Sequence, residues 1–104
     1  MTERRRLSNR RASETFSFEV AGLRYTCTFS KFGSGELAEL FLQNSKPSSQ
    51  SDTNARDSAV AASLALQFCC PLEVLRGAVL RNSQGEASSP LGVALDLIAG
   101  AVSS

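Results

Sequence analysis

The sequence predicts an α+β fold, a three-stranded antiparallel meander packed against about three helices in the order β-β-β-α-α-α. Three observations carry that expectation. Apolar and polar residues alternate with period two through most of 14–42, an Ala- and Leu-rich segment over 54–70 has helical spacing, and two proline-led segments follow it.

At 104 residues there is room for one compact core and not for a second. The expected division is a disordered basic arm over 1–13 and a single domain over 14–102. The net charge is only +1, but residues 1–11 set Arg4, Arg5, Arg6, Arg10 and Arg11 against Glu3, leaving the remainder mildly acidic. Such an arm suits nucleic acid or an acidic partner. With no aromatic residue interleaved for base stacking, a solvated tail that aids solubility is favoured over that reading.

Phe16, Phe18 and Val20 alternate with Ser17 and Glu19, the pattern of a half-buried strand. Ala21 and Gly22 make a turn, and alternation resumes with Tyr25, Cys27 and Phe29 facing one way, so the two strands form a hairpin. Residues 36–42, ELAELFL, fit a helical face or a strand face. Seven residues between two loops make a weak helix, so a third strand is expected. Leu37, Glu39 and Phe41 then share its outer face, where Leu37 and Phe41 offer apolar contact to a partner.

Residues 43–53 form the longest polar loop. Lys46 and its serines precede a helix and are residue types that hold phosphate, but there is no GxxxxGK[ST] arrangement. Asp52, Thr53 and Asn54 are each credible N-caps for the long helix. Arg56, Ser63 and Gln67 form its one polar stripe, offered here as a contact for a ligand or partner, while alanines and leucines occupy nearly everything else. Structural use of Arg56 in an ion pair near the helix start competes with that reading. Pro71 ends the helix and suits the first position of the next. Ser89 then Pro90 caps the last, which turns Leu91, Ala94, Leu95, Ile98 and Val102 to one face.

The chain has no histidine, and its three cysteines, Cys27, Cys69 and Cys70, lack CxxC spacing. This argues against a disulfide framework and a zinc site and fits a reducing, cytoplasmic compartment. No apolar run reaches the roughly 18 residues of a membrane span. The carboxylates, Tyr25, Lys31 and Lys46 show no spacing of a triad, metal site or carboxylate pair. No catalytic residue, metal ligand or cofactor site is assigned on this basis.

Ala55, Arg56 and Asp57, the run 63–67 (SLALQ), Pro71, Leu72 and Glu73, and the run 89–92 (SPLG) together resemble the TSCPD domain family. The similarity covers about residues 14–98. These small domains occur as stand-alone bacterial proteins and at the C-terminal end of vitamin B12-dependent ribonucleotide reductases. The resemblance implies a reductase-related accessory or interaction domain whose partners are a second copy or a separate reductase subunit. Residues 68–70, FCC, replace the family's glycine-containing turn, and the family's naming cysteine motif is absent. Ribonucleotide reduction requires a barrel several times longer than this chain, so the expected role is non-catalytic. The alternative is a nucleic-acid-binding module using the arginine arm.

Overall fold

A computed structural model describes residues 3–7 and 12–103. The elements are β1 (Ser13–Val20), β2 (Leu23–Lys31), β3 (Leu37–Asn44), α1 (Gln50–Gln67), α2 (Leu72–Ala78) and α3 (Pro90–Ser103). The three strands form one antiparallel sheet in the order β1-β2-β3, the α+β meander expected from the alternation.

The hairpin closes through the pair Val20 and Leu23, with Ala21 at φ 52° and Gly22 at φ 79°. Two left-handed residues in a two-residue loop match the strands' own twist, which is why this turn type recurs in hairpins. On the inner face Phe18 stacks on Tyr25 and Phe16 meets Phe29 edge-on, at centroid distances of 5.7 and 6.0 Å. Leu40, Leu42, Leu95, Ile98 and Cys27 are the largest fully buried side chains. Each such aliphatic residue contributes roughly 1.5–3 kcal/mol through removal from water.

The ambiguous segment 36–42 is strand, but its facing differs from simple alternation. Lys31 pairs with Leu37 and Ser30 with Glu39, so Ala38 is an extra residue in β3 at a register shift. That bulge breaks the period there. Leu37, expected on the outer face beside Phe41, is instead buried in the core.

The long helix begins earlier than expected. Ser49 is its N-cap, accepting the Asp52 N–H at 3.1 Å on Oγ, whereas Asp52, Thr53 and Asn54 are all already helical. Ser48 at φ 64° turns the chain, and the polar run 50–53 becomes the first helical turn. Pro71 is the N-cap of α2 and not its first helical residue.

Ser89 caps α3 as expected, its Oγ accepting the Gly92 N–H at 3.1 Å. A Cβ at Gly92 would meet Ala87 Cβ at 3.0 Å and Val79 Cγ2 at 3.1 Å, so the preceding loop closes against bare backbone. Arg81 Nη1 and Nη2 both donate to Asp96, Arg76 Nε joins them at 2.9 Å, and this fastens α2 and the 81–87 turn to α3. These hydrogen bonds, Arg81's first, hold the Asp96 carboxyl down at about 2. Ala94, Leu95 and Ile98 form the buried face of α3; the Val102 side chain lies outside the described residues.

Candidate interaction surface

The surface of α1 divides into three longitudinal bands, because residues three and four apart share a face. The first, Ala55, Ala59, Ala62 and Leu66, is buried in the core. The small alanines let the helix approach the sheet closely.

The second band is polar and runs along the outer edge of β3. Ser63 Oγ accepts the Leu40 N–H and donates to the Leu40 carbonyl, both at 2.9 Å. Gln67 Nε2 donates to the Ala38 carbonyl at 3.2 Å, and Asp52 Oδ1 accepts the Asn44 N–H at 2.9 Å. Four helical residues advance about 6 Å and two strand residues about 6.7 Å, so polar side chains on successive turns can meet alternate strand residues. α1 therefore satisfies an edge that another strand would otherwise have to pair.

This geometry fixes the use of the predicted polar stripe. Ser63 and Gln67 are buried and hydrogen-bonded within the chain, not presented to a ligand. Arg56 Nε donates to Asp52 Oδ2 at 2.8 Å, the ion pair anticipated near the helix start. Asp52, missed as anything but a cap, connects the strand, the loop and the helix. The Asn44 amide, then Arg56 and the Ser48 amide, hold its carboxyl below the usual carboxylate range. Lys46 is exposed; its N–H donates to Asn44 Oδ1 and its carbonyl accepts from Ser49. Its backbone is thus used to shape the turn before α1.

The third band is apolar and uncovered: Val60 is 51%, Leu64 40% and Phe68 45% exposed. Around the helix axis it lies on the opposite flank of the Ser63 stripe from the core band. It therefore rises on the outer side of the sheet, the side to which Phe41, at 48% exposed, also points. Ser63 is anchored at Leu40, which places Phe41 beside the middle of the band. Thr15 and Thr28, whose hydroxyls meet at 3.0 Å, continue this outer face across β1 and β2.

The far end of the outer face meets residues 3–7. The Arg5 N–H donates to the Gln67 carbonyl, Arg4 Nε donates to Gln67 Oε1, and the Arg5 guanidinium lies 3.7 Å over the Phe32 ring while reaching Glu36 at 3.2 Å. Glu39, Gln67 and Arg6 line one hollow with Arg4. The sequence assigned this stretch to a disordered arm; residues 3–7 lie against the body, and Ser13 already begins β1. Arg10 and Arg11 fall outside the described residues.

A groove of about 700 Å³ lies on the other side of Arg5, lined by Phe32, Glu36, Leu37, Cys69 and Cys70 among others. Cys69 is exposed, and Cys70 half-buried. Among the described residues, no group of three or more His, Cys, Asp or Glu is arranged to hold a metal ion. Burial pushes the Cys27 thiol up to about 12, as suits a core hydrophobe and not a nucleophile. Among the described residues no helix is long and apolar enough to cross a membrane.

Comparison with known proteins finds no matching family model, no matching curated protein and no matching solved structure.

Proposed function

We propose that this chain is a non-catalytic accessory or interaction domain that acts by protein–protein association. The observation that carries this reading is the uncovered band of Val60, Leu64 and Phe68 with Phe41 beside it. Large apolar side chains at consecutive helical turns, flanking a stripe whose polar groups are already satisfied, are what a docking partner covers. A ribonucleotide reductase-related role is its most specific form. That form rests on the sequence resemblance, and the separate reductase subunit is the partner to test.

The test is pull-down and calorimetry with the host's reductase, using the full chain and a Phe41→Ser, Val60→Ser variant. Binding by the full chain that is lost in the variant supports the proposal. Undiminished binding by the variant removes this surface from it. No binding to the reductase sinks the reductase form alone.

The alternative is nucleic-acid binding through the arm. Against it, Arg4 and Arg5 already hydrogen-bond to Gln67, Glu36 and Ser34. Freeing arginines for phosphates would require surrendering those contacts, and any binding would fall steeply with salt.

A further inference from the structure

We propose that the cleft between α1 and the N-terminal tip of α3 is a binding site for a small organic carboxylate. It lies on the flank of α1 turned away from Val60, so the inference goes beyond the association reading and does not depend on it.

The cleft has a volume of about 370 Å³, and none of its lining residues is charged. Tyr25 carries the argument. It is only 4% exposed, is stacked on Phe18 and belongs to the core cluster. Its hydroxyl nevertheless has no hydrogen-bond partner among the described residues, although it is not sealed from solvent. Buried phenols normally find a partner. This one lines the cleft, so the group that satisfies it has to enter from there.

The other polar groups at the cleft mostly have hydrogens to donate. At the tip of α3, Pro90 has no N–H, and the Gly92 and Val93 amides donate to the Ser89 Oγ and carbonyl at 3.1 and 3.0 Å. The Leu91 N–H is left without a partner, at the positive end of a 14-residue helix. Ser89 Oγ accepts from Gly92 and keeps its own hydrogen. Across the cleft, Asn54 Oδ1 accepts from Gln50 Nε2 at 3.0 Å, which leaves the Asn54 Nδ2 hydrogens uncommitted. The exception is Ser58, whose hydroxyl donates to the Ala55 carbonyl at 2.9 Å.

Donors lining one cleft, with no fixed charge among them, suit a monoanion that only accepts hydrogen bonds. A carboxylate is that group; a phosphate dianion would find no cation to offset its second charge. Pro90, Leu91 and the Tyr25 ring supply apolar walls, and the volume is near the lower end for small-molecule sites, so the ligand carries a short aliphatic body.

Tyr25 is the only tyrosine and the chain has no tryptophan, so its emission reports the site directly. Isovalerate, titrated into the full chain at neutral pH, should quench that emission and shift the Leu91 amide resonance, saturating at roughly millimolar concentration. Isovaleramide keeps the shape and loses the charge, and should bind at least roughly tenfold more weakly. Tyr25→Phe should weaken isovalerate binding by a similar factor, read at the Leu91 amide, without lowering the melting temperature, because the hydroxyl removed bonds nothing in the chain.

No saturable change at Leu91 overturns the proposal, as does isovaleramide binding as tightly as isovalerate or a Tyr25→Phe variant that binds like the parent. A Tyr25→Phe variant that melts well below the parent shows the hydroxyl bonded within the chain and overturns it too. Inorganic phosphate binding more tightly than isovalerate overturns the carboxylate assignment.

Discussion

β1 and β3 are the two terminal strands of one sheet, and the chain treats their open edges in different ways. β3 is lined by α1, whose Asp52, Ser63 and Gln67 bond the Asn44, Leu40 and Ala38 backbone. Along β1, among the described residues, no third strand and no helix side chain hydrogen-bonds the outer backbone. Its protection is electrostatic: Glu14 and Glu19 stand near its ends, paired across the ladder to Lys31 and Arg24 at 4.0 and 3.9 Å. The difference teaches what a polar stripe on an otherwise apolar helix is for in this fold. It supplies the hydrogen bonds of a missing strand.

The sharpest probe of that contrast is amide exchange. The Leu40 and Asn44 amides, which donate to α1 side chains, should exchange as slowly as amides inside the β1–β2 ladder. The outward amides of β1 should exchange orders of magnitude faster. Equal rates at the two edges would break the comparison.

Substitution comes next in size. Ser63→Ala leaves the Leu40 N–H and C=O buried without that partner and should cost about 2–4 kcal/mol in urea unfolding. Thr15→Ala on the exposed edge strand should cost less than about 1 kcal/mol. A Ser63 loss no larger than the Thr15 loss would show that the edge bonds contribute little.

Acid should expose the same asymmetry. Asp52 has a lowered folded-state pKa, so its stabilisation is present above its unfolded value near 3.8 and disappears as pH falls through the lower folded value. Asp52→Asn should therefore flatten part of the acid limb of the stability curve. The Asp96 contribution should remain in that variant, declining once pH falls below about 3.8 and lost as pH falls through about 2. An unchanged acid limb would mean that the carboxylate does not support the β3 edge.

The smallest expected effect is a gain. α1 ends in paired reverse bonds, from the Cys70 N–H to the Ala65 carbonyl at 2.9 Å and from the Cys69 N–H to the Leu66 carbonyl at 3.1 Å. That closure places Cys69 at φ 72°, where glycine is normally found. Cys69→Gly should add about 1 kcal/mol, a Tm rise of roughly 4–8 °C, and leave exchange along β1 unchanged. No gain would show that the surroundings relieve the cysteine's strain.

Much of the architecture is legible in the residues. Alternation marks Phe16, Phe18 and Val20 and the partner strand bearing Tyr25, Cys27 and Phe29, and the Ser89 cap is visible in its dipeptide with Pro90. The bulge at Ala38 is not legible, because one inserted residue leaves local composition unchanged, and so Leu37 is assigned to the wrong face. The true start of α1 escapes because residues 50–53 have loop composition and are held helical by Ser49 and by Asp52's tertiary bonds. The Arg56, Ser63 and Gln67 stripe is legible as a stripe. Its use as an edge cover is not, because the receiving groups are backbone atoms that carry no side-chain signature. Phe41 is recognisable as outward, but the Val60, Leu64 and Phe68 band reads as core until the narrow angle buried by the sheet is known.

The helix-lined edge has a consequence for synthesis on the ribosome. β3 is complete at Asn44, but its last sealing side chain is Gln67, 23 residues later. At about 5–20 residues per second, the nascent sheet waits roughly 1–5 s for the remainder of its cover to be made. During that interval an extended, apolar strand has an open side. Slowed elongation while residues 45–67 are emerging from the ribosome should therefore increase aggregation of this chain more than the same delay once residue 67 has emerged.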